Sequence, residues 1–202
     1  MIRKIITYPN PNLFKKSLPV ESFDDELATL LDDMYDTMIA SNGIGISAVQ
    51  IDELKRVFLV LIPRELDELD EDGNPKIIQL KEDLIEIINP RFISKTGEQT
   101  YKEGCLSVPG YYEEVKRAEF VELEFFDRYG KKQTLKADGL KAVCIQHEYD
   151  HLDGHLFIEK SATQSAKSLI KSLKKPLKKA RQFYNEIAQN RKPERHTPYN
   201  KH

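Results

Sequence analysis

Across residues 22–41, Leu27, Leu30, Leu31, Met34, Met38 and Ile39 recur at three- and four-residue steps, the spacing of an amphipathic helix. Asp24, Asp25 and Glu26 place negative charge in its first turn, Ser22 is expected to cap it, and Asn42-Gly43 to stop it. The run 56–62, RVFLVLI, is short, unbroken and β-branched, so it predicts a buried strand, and 84–88 before Asn89-Pro90 predicts another. Between them, 63–83 is acidic and carries Asp72-Gly73-Asn74-Pro75, which predicts an exposed loop. Segments 92–101, 111–116 and 120–127 have strand content, and residues 128–131 supply a hairpin turn before a strand at 133–137. Residues 140–152 predict a second, deeply buried helix, with Leu140, Val143, Cys144, His147, Glu148 and His151 on one broad face and Gly154 ending it. After the short apolar segment 155–158, residues 161–175 predict an amphipathic helix around Leu169, Ile170 and Leu173, broken by Pro176, and 189–202 a disordered tail. The expected fold class is α+β: small antiparallel β-sheets packed around a central buried helix, with an amphipathic helix before it and a basic helix after.

Composition narrows the class further. The chain has 202 residues, 40% hydrophobic and 9% aromatic, with 10 Pro and 9 Gly, as in one ordinary globular domain with an appended tail. The expected division is one globular domain over residues 1–160 and a basic appendage over 161–202. An apolar run of membrane-spanning length is missing, and MIRKIITYPN lacks the apolar centre of a signal peptide, so a soluble, cytoplasmic protein is expected. Two cysteines are too few for a disulfide scaffold. The net charge of −2 hides an asymmetry: residues 160–202 hold 12 Lys+Arg against 2 Asp+Glu, and residues 1–159 hold 19 against 31.

The sharpest chemical signal is His147-Glu148-Tyr149-Asp150-His151. Histidines four apart on a helix lie one turn, about 6 Å, apart on the same face, so both imidazoles reach one divalent ion. Glu148 is then placed to handle the protons of a water that the metal activates. Three of the five histidines fall between 147 and 155, which argues against chance, but His155 follows the helix stop and reads as structural or surface-exposed.

A catalytic metal needs three protein ligands and one open position. The zinc-protease pattern HExxHxxGxxH requires His at 157, where this chain has Phe157. A second protease pattern takes a Glu about twenty residues beyond the second His, but positions 163–179 contain no acid. Cysteine remains. Cys144 lies about 10 Å along the helix axis from His151 and reads as a core thiol or pocket wall. Cys105 sits in Glu103-Gly104-Cys105-Leu106-Ser107-Val108-Pro109-Gly110, whose glycines and proline favour a tight, fixed backbone able to present a thiolate; read alone it would be an inert thiol. A third segment, residues 43–50 (GIGISAVQ), puts two glycines directly after a helix and ends in an amide; Gly45 allows a substrate backbone to approach and Gln50 can donate to an oxyanion, although a plain helix-to-strand turn explains the pattern equally well.

Taken together, GIGISAVQ, EGCLS and QHEYDH, in that order and at these separations, resemble the three signature motifs of peptide deformylases, over residues of about 5–157. The resemblance implies that Cys105, His147 and His151 bind one divalent metal, most often Fe2+ in the cell with Zn2+, Ni2+ or Co2+ able to substitute. It implies Glu148 as acid and base, and Gln50 with the Leu106 backbone N–H as the oxyanion hole. It places the methionine pocket at Ile44, Leu140, Val143 and Cys144, with the peptide running along Gly45, Gly104 and Gly110. Ser47 departs from the pattern, which usually has Ala there, and the acidic stretch 63–83 resembles an insertion.

The implied reaction removes the formyl group from N-formylmethionyl nascent peptides and releases formate. The basic stretch 160–181, with eight positive and no negative side chains, would attract a polyanion, and the family resemblance implies that this is the ribosome near the exit of the nascent chain; a solvated helix face that balances the acidic body is the plainer reading. Two other functions compete: a metallopeptidase, and a ribosome-associated protein whose metal is only structural.

Overall fold

The computed structural model describes residues 1–160. The expected helix at 161–175 and tail at 189–202 lie outside the described residues. Helix α1 spans Asp25–Ala40. Asp24, rather than Ser22, caps it: its carboxylate accepts from the Leu27 N–H at 3.0 Å, and a negative charge there also suits the dipole.

Strand β1 is Gly45–Ser47, β2 Val57–Val60, and β5, after a hairpin of β3 and β4, is Ile85–Thr96; β8, Phe120–Phe126, and β9, Lys132–Ala137, complete an antiparallel sheet in the order β1-β2-β5-β8-β9. Both faces of this sheet are covered. Val57 and Leu59 join Leu27, Leu31, Met34 and Met38 of α1 in one core cluster, while Phe58 and Val60 join Ala142, Cys144 and Ile145 of helix α2, Gly139–Leu152, in another. The unbroken apolar run at 56–62 is thus explained: strand alternation sends successive side chains into two separate cores.

Two expectations are corrected. The acidic stretch is exposed, as predicted, but forms a hairpin of β3, Arg64–Leu69, and β4, Pro75–Ile78, rather than a loop. Its turn is held by Asp70, whose carboxylate accepts from the backbone N–H groups of Asp72 at 3.0 Å and Asn74 at 2.9 Å. The predicted single strand at 92–101 is broken at Gly97, whose φ of +69° is open to glycine and costly to a side chain. After it, β6, Gln99–Cys105, turns back on β7, Val108–Arg117, as a separate two-stranded ribbon. That break lets the ribbon leave the main sheet and carry Cys105 toward α2. Among the described residues, no helix is long and apolar enough to cross a membrane.

Candidate metal centre and active site

Helix α2 presents His147, Glu148 and His151, and the end of β6 brings Cys105 across to them. Nε2 of His151 lies 3.3 Å from Cys105 Sγ, and ligand atoms of Cys105, His147 and His151 all lie within 4.8 Å of one another. Ligand bonds of about 2.0–2.3 Å imply tetrahedral edges of roughly 3.3–3.8 Å, so the three donors fit one small cation with little movement. Cys144 does not join them; its thiol lies 3.5 Å from the Ile44 carbonyl oxygen, and burial pushes its pKa well up. His155 is exposed and lies 3.2 Å from Glu159.

The donors are tuned from behind. Glu103 places Oε2 2.8 Å from Nδ1 of His147, while Arg117 donates to both Glu103 oxygens at 2.7 and 2.8 Å. Burial alone would raise the Glu103 pKa, but the Arg117 and His147 hydrogen bonds prevail and hold it at about 2, so the carboxylate is ionised and accepts the Nδ1 proton. Nε2 of His147 is left for an ion. Burial opposes a charge on His147, yet its hydrogen bonds to Cys105 and Glu103 raise its pKa; for His151, burial and then the neighbouring His147 and Arg117 charges push it well below the ordinary value. A cation would therefore meet a neutral His151 and displace a proton from His147. Arg117 also donates to Asp150 at 2.5 Å, and Lys160 reaches Asp150 at 2.7 Å, extending the buried charges to the surface.

Glu148 is 4% exposed, and burial lifts its carboxyl pKa to about 7, against the pull of His147 and Ser47. Gln50 is fixed by the Ser47 N–H, which donates to Oε1 at 2.8 Å, so Nε2 turns outward, 3.2 Å from Ser107 Oγ and 3.6 Å from Cys105 Sγ. A cavity of about 520 Å3 opens over these groups, lined by Ile44, Gly45, Gln50, Gly104, Cys105, Leu106, Gly110, Leu140, Val143, Cys144, His147 and Glu148. Of the residues that the resemblance gives a ligand, catalytic or pocket role, all but His151 line it, and His151 is buried.

The model of the family described as polypeptide deformylase matches residues 2–167. The chain belongs to that family. Among its relatives is a peptide deformylase of Campylobacter jejuni, 58% identical over 161 residues, 79% of this chain and 86% of the other. A crystal structure of a peptide deformylase from Legionella pneumophila superposes with a TM-score of 0.72 at 37% identity, covering 96% of this chain and all (100%) of the other. A Met-Ala-Ser bound peptide deformylase from Acinetobacter baumannii matches with a TM-score of 0.69 at 29% identity, over 79% of this chain and 98% of the other. As a deformylase, the chain is a hydrolase that removes N-formyl groups from newly made peptides, and the metallopeptidase reading is not favoured.

Glu103, Arg117, Asp150 and Ser107 were not among the residues singled out. Glu103 stands two positions before Cys105, a signal available in the sequence, but Arg117 reaches it only across the β6–β7 ribbon, and Asp150 reaches Arg117 only from α2.

Proposed function

We propose that Cys105, His147 and His151 hold one divalent cation, Fe2+ in the cell with Zn2+, Ni2+ or Co2+ as substitutes, since a thiolate with two imidazoles suits all four. The observation that carries this reading is the convergence of the three donors within 4.8 Å, two of them, Cys105 and His147, on the wall of a cavity that also holds Glu148 and Gln50. When bound, the ion supplies Lewis acidity and lowers the pKa of water toward neutrality.

The chain's own residues then divide the remaining work. The formylated methionine enters with its side chain among Ile44, Leu140, Val143 and Cys144, and its main chain along Gly45, Gly104 and Gly110, as an extended strand would. Glu148 takes a proton from the attacking water as oxygen bonds to the formyl carbon, its carboxylate serving as the acceptor. Negative charge gathers on the formyl oxygen, where Gln50 Nε2 and the Leu106 N–H donate; one such donor is typically worth about 2.7–4 kcal/mol. Glu148 returns the proton to the nitrogen as the C–N bond breaks, leaving formate and a free amine. The Met-Ala-Ser held by the Acinetobacter relative has the form of such a product.

In this reading residues 1–160 form the catalytic domain and 161–202 a basic appendage that docks the enzyme on the ribosome, in the cytoplasm, beside emerging formylated chains. Anaerobic purification, metal analysis and a formate-release assay on formyl-Met-Ala-Ser test the chemistry. One metal per chain with formate as product is expected; chain cleavage, or turnover without metal, overturns it. Removal of residues 161–202 is expected to weaken co-sedimentation with ribosomes at low salt and spare peptide turnover; unchanged co-sedimentation overturns docking.

A further inference from the structure

Strand β1 turns residues 45 and 47 to the same side, toward α2, while Ile46 enters the opposite core under α1. Both therefore meet Glu148, at different oxygens. A Cβ on Gly45 would fall 2.7 Å from Glu148 Oε1, so that oxygen lies beside the bare backbone in the cavity wall. Oε2 is turned away, and the Ser47 hydroxyl, itself fully buried, donates to it at 2.7 Å. The same hydroxyl lies 2.9 Å from the Glu148 main-chain oxygen, a second acceptor for its one proton.

We propose that Ser47 is a positioning residue that anchors Glu148 Oε2 and so dedicates Oε1 to the exchange of protons with water and the leaving amine. A buried carboxylate has two equivalent oxygens and a broad terminal torsion. Without a partner on one oxygen it samples orientations in which neither faces the reacting atoms; a charge-assisted hydrogen bond on Oε2 removes that freedom. The backbone N–H of Ser47 fixes Gln50 independently of the side chain, so deleting the hydroxyl touches Glu148 and leaves the oxyanion donor in place.

The inference rests on the reading of Glu148 as acid and base, so metal-loaded S47A, S47T and E148Q are compared on formyl-Met-Ala-Ser. S47A is expected to lower kcat about tenfold, with KM, metal content and Tm unchanged, and S47T to restore kcat by returning the hydroxyl. A crystal structure of S47A should show the Glu148 carboxylate in more than one orientation. E148Q with full turnover overturns the acid and base reading itself. Inactive E148Q together with S47A at parental kcat, or with S47A whose kcat loss tracks a fall in Tm or metal content, overturns the proposal for Ser47 alone. An S47T that folds and binds metal yet stays as slow as S47A also overturns it.

Discussion

Glu103 holds Oε2 2.8 Å from Nδ1 of His147, behind the candidate metal centre. Such a carboxylate fixes the imidazole tautomer and makes Nε2 a better donor, and its loss typically costs about 10- to 100-fold in metal affinity. E103Q should therefore lose metal to a chelator at correspondingly lower chelator concentration, measured by competition; an unchanged exchange curve contradicts this role.

The same carboxylate sets an acid limb of stability. Its pKa of about 2 in the folded protein lies below the ordinary 4.5, so its stabilisation is complete above about pH 4.5 and is lost as pH falls through about 2. Urea denaturation of metal-free protein between pH 3 and 7 should show parental stability falling with acid, and E103Q falling less steeply.

Arg117 is 4% exposed and is paired with both Glu103 and Asp150. Arg117→Met leaves Glu103 buried without its cation, and breaking a buried pair in this way costs about 3–5 kcal/mol. Chemical denaturation checks this; a loss below about 1 kcal/mol, the worth of an exposed pair, counts against it.

Burial holds the Glu148 carboxyl at about 7 in the metal-free protein. A cation alongside favours the carboxylate, so loading should move this titration downward. Carboxyl 13C shifts of metal-free protein should titrate near 7, and kcat/KM of loaded enzyme should fall with acid along a limb that lies below 7. A limb at or above 7 would count against Glu148 as the base.

Cys105→Ser is expected to abolish tight metal binding and activity, whereas Cys144→Ser, outside the donor group, should keep the ion and alter only how the methionine side chain fits, seen as a change in KM. Gly45→Ala adds a methyl 2.7 Å from both Cys144 Sγ and Glu148 Oε1; displacement of the carboxylate should cost about 10²-fold in kcat with the fold retained.

The sequence by itself was enough to predict α1, the buried strand at 57–60 and α2, because a helix that buries one face and a strand that buries both leave an apolar period in the chain. It was enough, too, to nominate His147 and His151, whose spacing is one helical turn, and Gly45 as a close approach. It misread residues 63–83 as a loop, because an exposed hairpin held by backbone pairing and an Asp70 turn leaves no apolar alternation to read. It ran 92–101 together, since Gly97 breaks the strand through a backbone angle and not through a change of polarity.

Helix spacing set Cys144 aside and the motif resemblance named Cys105, but how the Cys105 thiol reaches the histidines belongs to tertiary structure. Cys105 reaches His151, 46 positions away, only because the ribbon of β6 and β7 folds back over α2, and Cys144, three residues from His147, points instead to Ile44. The chain of Lys160, Asp150, Arg117 and Glu103 likewise needs tertiary contacts, with β6 paired to β7 for Glu103–Arg117 and α2 beside β7 for Arg117–Asp150. Periodicity records which face of one element is buried; which charges meet across two elements depends on how those elements pack, and that is written in no local stretch of the chain.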